Sequence, residues 1–180
     1  MPRITPLSYT EASAAVKNAY TLHTEKYKAR ITNMKSTLAR FLPAFEVYMQ
    51  WYVLFEELEK LLDNRMATYY AHAVSYATDC PLCSTFFRKI IIEAGEDPQN
   101  LSITPEEQQL LSFGSAIAQS KGHISDELYL SVSKRFTDEQ MVLLIAFAGQ
   151  MIATNVFSNV IETQIDEYLV PFVNRTTSIR

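Results

Sequence analysis

The chain has 180 residues, 48% of them apolar and 20% charged, which is the balance of a folded globular protein rather than a disordered one. That length reads as one domain with enough chain to bury a sizeable core, and four glycines are few for a turn-rich β protein. A formal charge of −4 with scattered basic residues offers no footprint for nucleic acid. The opening Met1-Pro2-Arg3-Ile4-Thr5-Pro6 has no apolar core of a secretory signal, and the apolar stretch 41–54 is interrupted by Pro43, Glu46 and Gln50 before it reaches membrane-spanning length. The expectation is a cytoplasmic protein with neither membrane nor nucleic-acid partner.

Taken in order, the chain reads as helices. Residues 1–9 form an N-terminal arm. Ser8 and Glu11 have capping-box spacing, which predicts a helix running to about Arg30. Asn33 is placed to cap a short helix over 34–41, interrupted by Pro43. From 44 to 62 the residues Phe45, Tyr48, Met49, Tyr52, Phe55, Leu58 and Leu62 recur at helical spacing, predicting one continuous apolar face. Asp63 or Asn64 can cap the next helix, 65–79, whose small and apolar residues on most sides mark it as central.

Pro81 suits the first turn of a following helix, and Gly95 is placed to end it. Thr104-Pro105-Glu106-Glu107 combines a cap, a proline at the first position and acids on the macrodipole, so it starts a helix to about Ser120. Ser125 caps a short helix to about Arg135. Thr137 with Gln140 opens a long last helix reaching about Tyr168, before a tail at 171–180. The prediction is a single all-α domain of about eight helices, a multi-helix bundle.

Both cysteines of the chain lie in Thr78-Asp79-Cys80-Pro81-Leu82-Cys83-Ser84. A Cys-x-x-Cys pair has three physical readings. It can be a dithiol cycling with its disulfide, because a helix N-terminus favours thiolate. It can be half of a tetrahedral metal site, which needs two further ligands. It can be two inert core thiols. His23, His72 and His123 are isolated in sequence and supply no ligand pair, so no metal is expected. His23 and His123 stand in polar neighbourhoods and read as surface residues. The stripe of aromatic residues over 41–55 reads as core or subunit interface.

With these elements placed, the pattern resembles the carboxymuconolactone decarboxylase superfamily, especially its alkylhydroperoxidase D-like (AhpD-like) branch. The resemblance rests on Pro2-Arg3-Ile4, Asn33-Met34, Arg65, Cys80-Pro81-Leu82-Cys83, Ile92-Glu93-Ala94-Gly95, Thr104-Pro105-Glu106-Glu107 and Asn155-Val156-Phe157-Ser158-Asn159. It implies an all-helical subunit assembling as a homo-trimer or homo-hexamer, needing no cofactor beyond its cysteine pair. It also implies that Cys83 attacks a hydroperoxide substrate and Cys80 resolves the sulfenic acid as a disulfide, which an external dithiol or disulfide reductase returns to the dithiol.

The family's motif carries a glutamate before the first cysteine and a histidine after the second; here those positions are Thr68 and Phe87, and neither relays a proton. His72, one turn beyond Thr68 on the same helix face, is the expected substitute. Thr68, Tyr76 and Asn155 are expected as supporting or substrate-binding residues; Tyr76 reads chiefly as core, and Asn155 stands out as an interior amide needing a partner. The departures also leave room for a thiol–disulfide carrier or redox-sensing oligomer without peroxidase activity. A non-redox carboxymuconolactone-type enzyme and a purely structural protein complete the alternatives.

Overall fold

The computed structural model describes residues 1–174; the expected tail falls partly outside them, at 175–180. Eight α-helices are present among the described residues: α1 (Ala14–Tyr27), α2 (Asn33–Leu38), α3 (Leu42–Tyr48), α4 (Trp51–Ala77), α5 (Pro81–Glu93), α6 (Pro105–Gln119), α7 (Asp126–Ser133) and α8 (Asp138–Val160). A 3-10 helix, Glu167–Phe172, follows, and no strand occurs among the described residues. The fold is all-α, as the periodicity predicts.

Local chemistry explains most boundaries. Thr104 and Thr137 each form a complete capping box, with Glu107 and Gln140 as the reciprocal partners. Ser125 caps α7 by accepting from the amide of Leu128 at 3.3 Å. Gly95, at φ 84°, ends α5 in the left-handed conformation that side chains resist.

Four expected boundaries are corrected. The Ser8–Glu11 pair does form, with the Glu11 amide donating to Ser8 Oγ at 3.3 Å, but it closes an isolated turn. The helix begins only at Ala14, capped by Ser13, and stops at Tyr27 because Lys28 turns to φ 51°. Thr32 rather than Asn33 caps α2, accepting from the amide of Lys35. The expected helix over 44–62 is divided at Met49–Gln50 into α3 and α4, and Pro43 sits in the first turn of α3 instead of interrupting a helix. The last helix ends at Val160, with Glu162 at φ 52°, and Tyr168 and Pro171 belong to the 3-10 helix.

The central element is α4. Asp63 breaks its helical geometry at φ 66°, ψ 167°, and its carboxylate accepts from the Met66 amide at 2.9 Å, so it caps the second half as expected. Beyond this kink Met66, Ala67, Thr68, Tyr69, Tyr70, Ala71, Val74 and Ser75 are buried, and α4 packs against α5, α6 and α8. The approach of α6 depends on Gly114, where a Cβ would lie 2.6 Å from Tyr70 Cε2. Tyr70 in turn donates its hydroxyl to the Leu144 carbonyl of α8 at 3.2 Å.

By length and composition α8 is long and apolar enough to cross a membrane, which the reading of 41–54 overlooked. Its inner side (Met141, Leu144, Phe147, Ala148, Met151) is buried in the bundle core. Its outer side exposes Val142, Ile145, Val156 and Val160 in an apolar stripe. The 3-10 helix packs back on α5. That return brings Glu167–Phe172 against the helix that carries the cysteines.

Candidate active site

The turn between α4 and α5 places the two thiols. Asp79 adopts φ 49°, and the Cys80 amide donates back to the Ser75 carbonyl at 3.3 Å, closing the end of α4. Cys80 is then the N-cap of α5, with Pro81 in the first turn, where a missing N–H costs nothing. The Cys83 amide donates to Cys80 Sγ at 3.3 Å, and Ser84 Oγ donates to the Cys80 carbonyl at 2.8 Å. Both cysteines are free and buried, Cys80 at 1% exposure and Cys83 at 7%.

The pair is electrostatically unequal. The Cys83 thiol and the backbone N–H groups of Cys83 and Leu82 hydrogen-bond to Cys80 and draw its pKa below the ordinary thiol value, against the opposing effect of burial. Cys83 is pushed well up, because it donates to Cys80, lies buried and faces the Cys80 charge. A single negative charge on the dithiol therefore rests on Cys80, with the proton on Cys83. The Ser158 side chain pulls the Cys83 pKa partly back down, although Ser158 Oγ is buried and makes no hydrogen bond of regular geometry.

A polar seam from α8 holds this turn. Asn155 is fully buried and its Nδ2 donates to Thr78 Oγ1 at 2.7 Å and to Ser75 Oγ at 3.4 Å. Asn159 Nδ2 donates to the Thr78 carbonyl at 3.0 Å. The interior amide expected at Asn155 thus finds its partners at the end of α4, two residues before Cys80.

The other expected site residues do not line the cavity that Cys83 lines. His72 lines a second, more polar cavity with Tyr76, Ser84 and Arg88, and neither cysteine lines that cavity. Its ring stacks on Tyr76 at 6.2 Å, and burial with the nearby Arg88 charge lowers its pKa to about 4. His72 thus opens on a cavity lined by Ser84, Thr85 and Arg88 of α5, and not on the one that Cys83 lines. Tyr76 is 57% exposed rather than core. Thr68 is buried within α4 and lines neither cavity.

Cys83 opens on a different cavity, of about 70 Å³, with room for a few water-sized groups. Its walls are mostly apolar, including Met34, Trp51, Leu82, Phe86, Phe87 and Met151. Its polar members are Thr32, Lys35, Tyr52, Thr154, Asp166 and Tyr168. Lys35 is buried at 5% exposure; its Nζ donates to the Arg30 carbonyl and the Tyr52 hydroxyl, each at 2.8 Å, and lies 2.9 Å from His23 Nε2. His23 is therefore buried beside a lysine, correcting its reading as surface; it packs among Phe45, Tyr27 and Tyr52.

Burial pulls Lys35 down to about 7, with the charge of Asp166 opposing, and pulls His23 to about 4 with the help of the Lys35 charge. Asp166 is raised by burial; its Oδ1 accepts from the Asn33 amide at 2.9 Å and its Oδ2 is buried without a partner. Sequence reading missed this cluster, because its members come from α1, α2, α4 and the 3-10 segment and form no local motif. Among the described residues no group of three or more His, Cys, Asp and Glu side chains could hold a metal ion.

The same all-α fold recurs in solved structures. The ligand-free debrominase Bmp8 superimposes with a TM-score of 0.74 at 15% identity, over 94% of this chain and 95% of that one. A peroxidase-related protein from Ralstonia eutropha, described as an alkylhydroperoxidase AhpD core, superimposes at 0.68 and 15% identity over 93% and 94%. The chain has the AhpD-like fold. A peroxidase-related protein from Silicibacter sp. superimposes at 0.72 and 15% identity over 88% of each chain. No family model and no curated protein matches the sequence. At these identities the AhpD-like likeness is one of fold.

Proposed function

We propose that the protein is a cytoplasmic, thiol-dependent oxidoreductase that reduces small hydroperoxides through Cys80 and Cys83. The observation that carries this reading is the free pair at the head of α5, with Cys83 facing an apolar cavity. The two sulfurs divide the work. Cys80, ionised first, is the adjacent base: it takes the Cys83 proton in an uphill transfer, and the Cys83 thiolate so formed attacks the distal oxygen of the hydroperoxide. The O–O bond breaks, the alkoxide leaves, and Cys83 becomes a sulfenic acid. Cys80 then attacks that sulfur, water departs with the Cys80 proton, and a disulfide remains. An external dithiol, free or on a disulfide reductase, restores the pair by two exchanges, so no further cofactor enters.

The apolar outer stripe of α8 supports a homo-oligomer, trimer or hexamer, since it leaves Val142, Ile145, Val156 and Val160 in water on a lone subunit. The experiment is hydroperoxide consumption with a dithiol reductant by the wild type and Cys83→Ser. Loss of consumption in the variant is expected; full activity in Cys83→Ser would remove the proposal.

A second reading follows from Thr68 and Phe87, which cannot relay protons where the family's acid–base residues stand. On it the pair is a thiol–disulfide carrier or redox sensor. Exchange with a small disulfide and no reaction with hydroperoxides would select it. One neighbour is a debrominase, also solved as a cysteine-to-alanine variant with 2,3,4-tribromopyrrole, so a halogenated pyrrole belongs in the same assay.

A further inference from the structure

The proposed cycle consumes one proton more than the dithiol carries. A dithiol carrying one proton and one negative charge, plus a hydroperoxide, yields a disulfide, an alcohol and water only if one more proton is supplied. The alkoxide that leaves Cys83 is where that proton is needed. Thr68 and Phe87 cannot provide it, and His72 lines the other cavity.

We propose that Lys35, acting through the Tyr52 hydroxyl in the cavity that Cys83 lines, is the proton donor to the leaving alkoxide. This rests on the hydroperoxide reading. Lys35 Nζ donates to the Tyr52 hydroxyl at 2.8 Å, so Tyr52 can pass its own proton into the cavity and recover one from the ammonium. Both residues line the cavity with Cys83. Burial raises Tyr52, which keeps its hydroxyl protonated and able to donate. Burial also brings Lys35 to about 7, so the ammonium gives up a proton near neutrality, which an exposed lysine does not do.

The groups facing Lys35 are compatible with this role. From α1, His23 is neutral near neutral pH and Tyr27 stacks on the Tyr52 ring at 4.3 Å. The Arg30 carbonyl accepts from Nζ, while the Arg30 guanidinium lies over the Tyr168 ring at 4.9 Å. From the end of the chain, Asp166 contributes a charge that favours the ammonium, and Tyr168 shares the cavity wall. Cys83 lines the same cavity. Mostly apolar walls suit a hydroperoxide with a small hydrocarbon group.

The test compares wild type, Lys35→Met and Tyr52→Phe as reduced proteins in single turnover, following thiol loss across neutral and mildly alkaline pH. One reactant is tert-butyl hydroperoxide, whose alkoxide needs a proton. The other is an aromatic disulfide, whose thiolate leaves unprotonated. At neutral pH Lys35→Met should react at least about tenfold more slowly with the hydroperoxide, and Tyr52→Phe should also be slowed. The wild-type hydroperoxide rate should carry a decline as pH rises through about 7 that Lys35→Met lacks. The reaction with the aromatic disulfide should change little. Equal rates and pH profiles with the hydroperoxide would overturn the relay while leaving the hydroperoxide reading intact. Equal slowing with both reactants would also overturn it, assigning Lys35 a purely structural part. A wild type that reacts with the disulfide and never with the hydroperoxide would overturn the functional reading itself, and the relay with it.

Discussion

Asn155 Nδ2 on α8 donates to Thr78 Oγ1 at 2.7 Å, fastening the middle of the bundle to the turn that presents Cys80. Asn155 itself is fully buried, so replacing it removes a brace between α8 and the turn, while the Thr78 hydroxyl keeps its contacts with the Val74 and Ser75 carbonyls. Asn155→Ala should destabilise the fold by about 1–3 kcal/mol, measured by urea unfolding. The same variant should change the rate at which native Cys80 and Cys83 react with a thiol reagent. An Asn155→Ala protein with unaltered stability and thiol reactivity would contradict the bracing role.

A second expectation concerns the inequality of the thiols. In Cys83→Ala the remaining Cys80 loses the hydrogen bond that most lowers its pKa, so the pH midpoint of its alkylation should rise. In Cys80→Ala the remaining Cys83 loses both its acceptor and the adjacent negative charge, so its midpoint should fall. Iodoacetamide rates against pH report both shifts, and shifts of the same sign in both variants would be inconsistent with a shared proton.

His23 predicts an acid limit to stability. Its folded pKa, about 4, lies below the ordinary 6.5, so the unfolded chain binds the proton first as pH falls. Stability contributed by the neutral ring should be intact above about 6.5 and lost as pH drops toward about 4, by about 3 kcal/mol at most. Denaturant midpoints of wild type and His23→Phe should therefore diverge in pH dependence across that window. Parallel curves would show that His23 protonates without opening its pocket.

Gly114 offers a packing test. A Cβ there meets Tyr70 Cε2 at 2.6 Å, so Gly114→Ala should cost about 1–3 kcal/mol in thermal or urea unfolding. The cost should shrink in a Tyr70→Leu background, where the ring is gone. An undiminished cost in the double variant would place the strain elsewhere.

At the kink, Asp63 holds φ 66° while capping Met66. Asp63→Ala loses the cap and keeps the unfavourable backbone, whereas Asp63→Gly loses the cap but suits the backbone. The alanine variant should be less stable than the glycine variant by about 1 kcal/mol. The reverse order in urea unfolding would argue against backbone strain at Asp63.

These relationships were unequally visible in the amino-acid order. The caps at Thr104, Ser125 and Thr137 are local chemistry and could be read directly, as could the proline-led start of α5. Asn155 betrayed itself as an amide in an apolar helix. The division at Met49–Gln50 was hidden, because the apolar spacing continues across it while the backbone does not. Ser8 and Glu11 misled for the opposite reason, since their side chains pair without a helix to cap. The Lys35 cluster was invisible: a buried lysine looks like any other until α1, α4 and the 3-10 segment surround it. For His72, helix spacing fixes which residues share a face but not which cavity that face lines.

The depth of the two sulfurs, 1% and 7% exposed, bears on how electrons enter. A small dithiol needs only a path through the cavity to Cys83. The active thiol of a folded reductase is too bulky to follow it, so exchange with such a donor requires the turn at Thr78-Asp79-Cys80 to lift from α8. Its rate would then count openings of the Asn155 and Asn159 clasp, and the protein would discriminate between electron donors by size before any difference in potential mattered.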